Sequence, residues 1–333
     1  MHVLLFDMPL FFSNALIALK QVAMLYVIAG LGLAAERLRW FPEATARLCT
    51  KLLLYVVTPC TVLNSFLSIE YSAQAVRGLG ISFACGALLH VAGILMSEPF
   101  FRGRGDRDGR RQPEAESVLH FAAIYGNCGY MGLPLAQAMV GPQGVFYVSV
   151  VILTFQVCSF THGTFVMSGG IMGRRGNPEA KFQWKNLILN AGVLSVAVGL
   201  PLFLLRIPVP ALLKTPLTSV ASMNSPLAML MFGAYLSRTK LHGLLRSKKL
   251  FLSMGIKLFA LPAVVMSVLL LCGVRGDLLN AMLIPAAAPC ANNTVVFAAR
   301  HGRDTGYAAQ VVSLFSLVSV VTMPLMIALG LSL

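Results

Sequence analysis

Pro285-Ala286-Ala287-Ala288-Pro289-Cys290-Ala291-Asn292-Asn293-Thr294, followed by Val295 to Arg300, is the stretch on which the reading of this 333-residue chain turns. It lies in the middle of an apolar segment, yet no regular helix can run through it. Proline lacks the backbone N–H and its ring clashes with the preceding turn, so carbonyls near Ile284 to Ala286 lose helical partners. Asn292 and Asn293 are poor inside a helix but good at its start, where the side chain accepts from backbone N–H groups ahead of it. Hydrocarbon tolerates unpaired backbone only where protein buries it or where it lines a wet cavity. The stretch therefore reads as a broken membrane helix carrying half of a binding site.

Composition agrees with a membrane setting. Hydrophobic residues make up 57% of the chain and charged ones 11%, with mean hydropathy +0.78, against about 45–50% and about 25% in soluble domains. Apolar runs of about 20 residues, the length that crosses a hydrocarbon core, recur along the sequence. This is the pattern of an all-α polytopic membrane protein. Met1 to Asp7 lacks the basic start of a signal peptide, so no cleavage is expected. A net charge of +14 would suggest nucleic acid for a soluble protein. Here the cations sit in loops and set orientation, so no nucleic-acid partner is expected. The seven cysteines form no CxxC or Cys/His spacing, and neither a metal nor a cofactor is expected. No Asp or Glu lies well inside a span, which leaves a buried-carboxylate proton relay or an aspartyl protease without residues, and nothing points to an enzyme.

Ten spans are expected, at about 11–35, 46–68, 74–97, 117–140, 144–168, 186–206, 215–237, 249–273, 277–300 and 305–331. Loop cations test the assignment. Alternate connections carry clusters such as Arg37/Arg39, Arg102 to Arg111, Arg174/Arg175 and Arg238 to Lys249, whereas the connections between them hold only Arg77, Arg206, Lys214 and Arg275. The positive-inside rule makes the rich loops cytoplasmic and puts both termini outside. An odd number of spans per half gives the halves opposite orientations. The expected organisation is a five-helix repeat over 1–168, a cytoplasmic linker over 169–185 and an inverted five-helix repeat over 186–333.

Span four carries the counterpart of the opening stretch: Gly126-Asn127-Cys128-Gly129-Tyr130-Met131-Gly132-Leu133-Pro134. Spans two and seven are also interrupted, at Thr58 to Asn64 and at Ser222 to Pro226, which includes Asn224. Matching interruptions in two halves are the best sequence pointer to a transport site. In spans four and nine the second half-helix would begin in mid-membrane, with Pro134 suited to a first helical position. Two positive helix ends facing the midplane favour an anion, most simply a carboxylate. The candidate binding residues are Asn127, Cys128, Gly129, Tyr130, Pro134, Pro289, Cys290, Asn292, Asn293 and Thr294, with Asn64, Asn224 and Lys20. Hinge positions are Gly126, Gly132, Pro134, Pro285 and Pro289. Lys20 lies deep in span one and is the functional lysine of choice; Lys257 is expected to snorkel to the cytoplasmic surface, and His162 to be a packed core residue. If the interruptions line a shared aqueous cavity, Cys128 and Cys290 should react with water-borne thiol reagents faster than Cys85 or Cys272.

At Asn127 to Leu135 and at Pro289 to Gly302 the chain resembles the auxin efflux carrier family, whose bacterial members carry a similar Asn-x-Gly-aromatic-x-Gly-x-Pro-Leu run. The resemblance extends over essentially the whole chain. It implies a bacterial inner-membrane secondary transporter of small organic anions, with relatives assigned malonate, malate or lactate and plant members auxin. It further implies that spans four and nine cross as an X, that this crossover domain slides against a scaffold in an elevator motion, and that the protein is a homodimer. Two alternatives stand beside it: a sodium-coupled symporter of the bile-acid type, and a membrane sensor of the same fold that does not transport.

Overall fold

The computed structural model describes residues 8–101, 114–169, 190–237 and 247–332, and every regular element among them is helical. Six helices among the described residues are long and apolar enough to cross a membrane: Ala15–Arg37, Leu48–Ser68, Ala73–Phe101, Pro142–Ser168, Lys248–Leu271 and Thr305–Leu331. They coincide with expected spans one, two, three, five, eight and ten. The other expected spans are shorter or divided. Span four is α5 (Glu114–Ile124) and α6 (Leu133–Met139), with the break between them, and span nine is α14 (Gly276–Ala287) and α15 (Asn293–Arg300). Where span six was expected the chain forms α9 (Ala191–Leu204), and where span seven was expected α10 (Ala211–Ser222) and α11 (Asn224–Ser237) meet at Met223. Most of the linker expected at 169–185, and the loop cations from Arg102 to Arg111 and at 238–246, lie outside the described residues.

The remaining segments are α1 (Met8–Arg37), α2 (Glu43–Leu52), α3 (Thr58–Ser68), α4 (Ala73–Phe101), α7 (Pro142–Cys158), α8 (Thr164–Ser168), α12 (Lys248–Gly255), α13 (Leu261–Leu271) and α16 (Thr305–Leu331). Four π turns join consecutive segments: Leu53–Val57, Cys128–Gly132, Ser159–Gly163 and Ile256–Ala260. Three of them run directly into a helix with proline in its first turn, Pro59, Pro134 or Pro262. The cause is local. Each proline removes the N–H that would bond four residues back. The turn widens instead, and Thr58, Leu133 and Leu261 donate to the carbonyls of Leu53, Cys128 and Ile256, five residues back. The interruption expected at Thr58 to Asn64 is therefore a widened turn upstream of an unbroken α3. π turns cluster at functional sites because they turn side chains out of register, and here they carry Tyr55, Tyr130, His162 and Lys257.

Helix packing follows side-chain size. α1 crosses α11 where a Cβ on Gly233 would overlap the carbonyl oxygen of Ala29 and one on Gly32 would overlap that of Leu230. Two backbones thus lie against each other, the small-residue contact that membrane helices use in place of hydrophobic collapse. Tyr26 ties α1 to α16 by donating to Ser316 O at 2.9 Å. A separate aromatic cluster, with Phe121 and Phe297 at 5.0 Å between ring centroids, packs α5, α15 and α16 around the two breaks.

Candidate functional site

Between α5 and α14 the two broken helices meet as extended backbone. Gly126 and Cys290 pair in a short antiparallel bridge. Asn127 N donates to Pro289 O at 2.7 Å and Ala291 N donates to Tyr125 O at 2.9 Å. Each break thereby satisfies polar groups that the other has freed, the only remedy where no water is present. Tyr125 is held from behind, its hydroxyl donating to Cys158 O at 2.9 Å and standing 3.0 Å from His162 Nδ1. His162 Nε2 in turn lies 3.5 Å from Glu98 Oε1.

Asn127 starts the second half of span four. Its φ of −80° and ψ of 62° make an inverse γ-turn, with Cys128 N donating to Gly126 O at 2.9 Å. The side-chain oxygen caps the π turn by accepting from Tyr130 N at 3.2 Å. The amide nitrogen, Nδ2, is buried and has no hydrogen-bond partner among the described residues. A buried amide donor without an acceptor is costly, and this one belongs to a residue that lines a cavity of about 390 Å³.

That cavity brings together Gly126, Asn127, Cys128, Gly129 and Tyr130 from one break with Asn292 and Asn293 from the other. It runs along one face of α15, past Asn292/Asn293, Val296/Phe297 and Arg300 at successive turns, towards the end of the molecule where Asn190 begins α9. Tyr55, Thr58 and Gln156 complete its polar lining. Among the described residues no Asp or Glu lines it, whereas Arg300 stands at its far end, its guanidinium 5.7 Å from the Phe160 ring centroid.

The other sequence candidates lie off the cavity lining. Pro134, Pro289, Cys290 and Thr294 are buried in the crossing itself, Thr294 with its hydroxyl lacking a partner. Pro285 and Gly132 are buried beside them. Asn224 is one contact removed, accepting from Thr58 Oγ1 at 3.4 Å. Asn64 accepts from Thr218 Oγ1 at 2.7 Å, tying α3 to α10. Lys20 is exposed on α1 and does not line the cavity.

Two expectations are overturned. Lys257 does not snorkel: it is 0% exposed and its ammonium donates to Ala286 O at 3.1 Å, in the crossing. The carbonyls left open where α14 ends ahead of Pro289 offer it a polar seat nearer than the surface. The expected order of thiol exposure is reversed for Cys272, which is exposed while Cys128 and Cys290 are 2% and 0% exposed; Cys85 is buried as they are. Tight backbone pairing at the crossing excludes water from both thiols. Single-cysteine variants should therefore label at Cys272 at least tenfold faster than at Cys128 or Cys290 with an impermeant maleimide; equal rates would mean the crossing is open. Gln156 was missed, though a glutamine within the apolar run of α7 is a visible signal.

A family model described as membrane transport protein matches residues 17–327 of the chain. An uncharacterized transporter of the archaeon Methanocaldococcus jannaschii is similar at 22% identity over 299 residues, covering 87% of this chain and 91% of that protein.

Proposed function

The chain belongs to the membrane transport protein family, that of the auxin efflux carriers, and on that premise we propose that it moves a small organic anion through the cavity at the crossing. It is a transporter and not an enzyme. The substrate class is a mono- or dicarboxylate or an auxin-like acid, and the mechanism is alternating access of elevator type. The fold behind it is ten spans in two inverted five-helix repeats, assembled as a homodimer in the lipid bilayer of the inner membrane with both termini outside. One observation carries the reading: the buried, partnerless Asn127 Nδ2 belongs to a cavity that holds amides and a guanidinium but no carboxylate. Their N–H donors suit an anion. The volume lies within the range of small-molecule sites, about 300–1,000 Å³.

Under the positive-inside orientation the cavity faces the cytoplasm, because it extends towards Asn190 and Arg300. Export of an anion from a negative interior is then electrically downhill, by about 2.3 kcal/mol per charge at 100 mV. Proteoliposomes tested with labelled lactate, malonate and indole-3-acetate should show saturable counterflow of at least one of them. Flux equal to that of protein-free vesicles for all three would sink the proposal.

A further inference from the structure

The buried lysine is the feature that this reading leaves unused. Lys257 sits in the π turn Ile256–Ala260, ahead of Pro262, and is fully enclosed. Its position follows from what α14 lacks at its end. Pro289 has no N–H to close on Pro285 O, and the chain leaves the helix at Ala287, which takes the Cys290 N–H away from Ala286 O. Two successive carbonyls are left at the negative end of a 12-residue helix. Lys257 Nζ donates to the second of them at 3.1 Å. It also presses against the crossing from behind, since a Cβ on Gly126 would stand 2.8 Å from Nζ and 3.1 Å from Pro285 O.

An ammonium in that seat is short of negative charge. Lysine has three N–H donors, and among the described residues no carboxylate pairs with Lys257; the ion pairs there are His162 with Glu98 and Lys249 with Glu116. Burial of a charge demands a counter-charge. Gly126, against which the ammonium packs, lines the cavity on its other side. The cavity, one glycine away, therefore gives an anion room beside the ammonium.

Resting on the transport reading above, we propose that Lys257 is the resident cation of the crossing: it holds the Ala286 carbonyl at the end of α14 and supplies, through Gly126, the charge that a bound carboxylate balances, so that binding needs no sodium. Glycine at 126 is then the thin wall that lets the two charges approach, and Lys257 is a positioning residue that does not touch the substrate.

The test uses the full chain in detergent, with lactate, malonate and indole-3-acetate as probes read by thermal shift, and lactamide as an uncharged control. The wild type should bind its best carboxylate equally well in sodium and in choline salts. Lys257→Met should weaken that binding at least tenfold in both salts and leave any lactamide binding unchanged. Gly126→Ala, which pushes the ammonium aside, should act in the same direction. The double variant should be no weaker than Lys257→Met alone, because both changes break one interaction. Carboxylate binding that survives Lys257→Met, a wild type that requires sodium, or additive losses in the double variant would overturn the inference. If Lys257→Met does not fold, the sodium comparison and Gly126→Ala decide. Failure of the wild type to bind or carry any carboxylate would instead overturn the transport reading, and this inference with it.

Discussion

Asn127→Asp is expected to cut carboxylate flux about a hundredfold while the protein folds and purifies as before. The substitution keeps the shape of the side chain and the oxygen that accepts from Tyr130 N at 3.2 Å, so the π turn Cys128–Gly132 retains its cap. What it removes is Nδ2, a buried donor without a hydrogen-bond partner among the described residues, on a residue that lines the cavity. A hydrogen bond to a charged group is worth about 1.5–3 kcal/mol, or roughly 10- to 150-fold in affinity. An ionised aspartate adds repulsion to that loss. Asn127→Ala would confound the two roles, because loss of the cap alone costs about 1 kcal/mol of stability. Flux measured in proteoliposomes at matched protein content decides it. A variant within threefold of the wild type would remove Asn127 from the binding site.

Gly233→Leu is expected to abolish folded protein, whereas Gly30→Leu should purify normally with thermal stability within a few degrees of the wild type. The contrast tests the α1–α11 crossing. A Cβ at Gly233 overlaps the Ala29 carbonyl oxygen, which is part of a helix backbone and cannot turn away. At Gly30, one residue along from Ala29, nothing lies within 4 Å. Overpacking where side chains can yield costs about 1–3 kcal/mol and more where they cannot, a large part of a total stability of about 5–15 kcal/mol. The readout is the monodisperse peak in detergent size-exclusion chromatography. A normal peak for Gly233→Leu would show that the two helices do not need this close approach.

The breaks were legible in the sequence because their causes are local. Pro289, Gly126 and the asparagines act through their own backbones, and α5 stops at Ile124 and α14 at Ala287, whereas Pro285 stands inside α14. That Asn127, Asn292 and Asn293 come together was legible for the same reason, since they sit at the two breaks and line one cavity. The lysines were misjudged because their setting is tertiary. Depth along a span made Lys20 look embedded, but depth says nothing about which way a helix face points, and Lys20 is exposed on α1. Lys257 looked close enough to an end to reach water, yet the carbonyls that hold it belong to a helix 29 positions further along the chain. The thiols failed on the same ground. A break in a helix was taken to admit water, whereas the other break closes it.

The pairing at the crossing constrains how the site can move. Sliding one broken segment along the other would have to release both Asn127 N–Pro289 O and Ala291 N–Tyr125 O. Unpaired backbone groups in hydrocarbon cost several kcal/mol each. The two segments are in that sense riveted, and the separation between Asn127 on one and Asn292 on the other is fixed by the join. On the proposed alternating-access reading, a ligand seated there would keep the same neighbours on these two segments whichever way the cavity opened. On that reading its passage from one side to the other would fall to the surrounding helices, changing partners around a unit that does not deform.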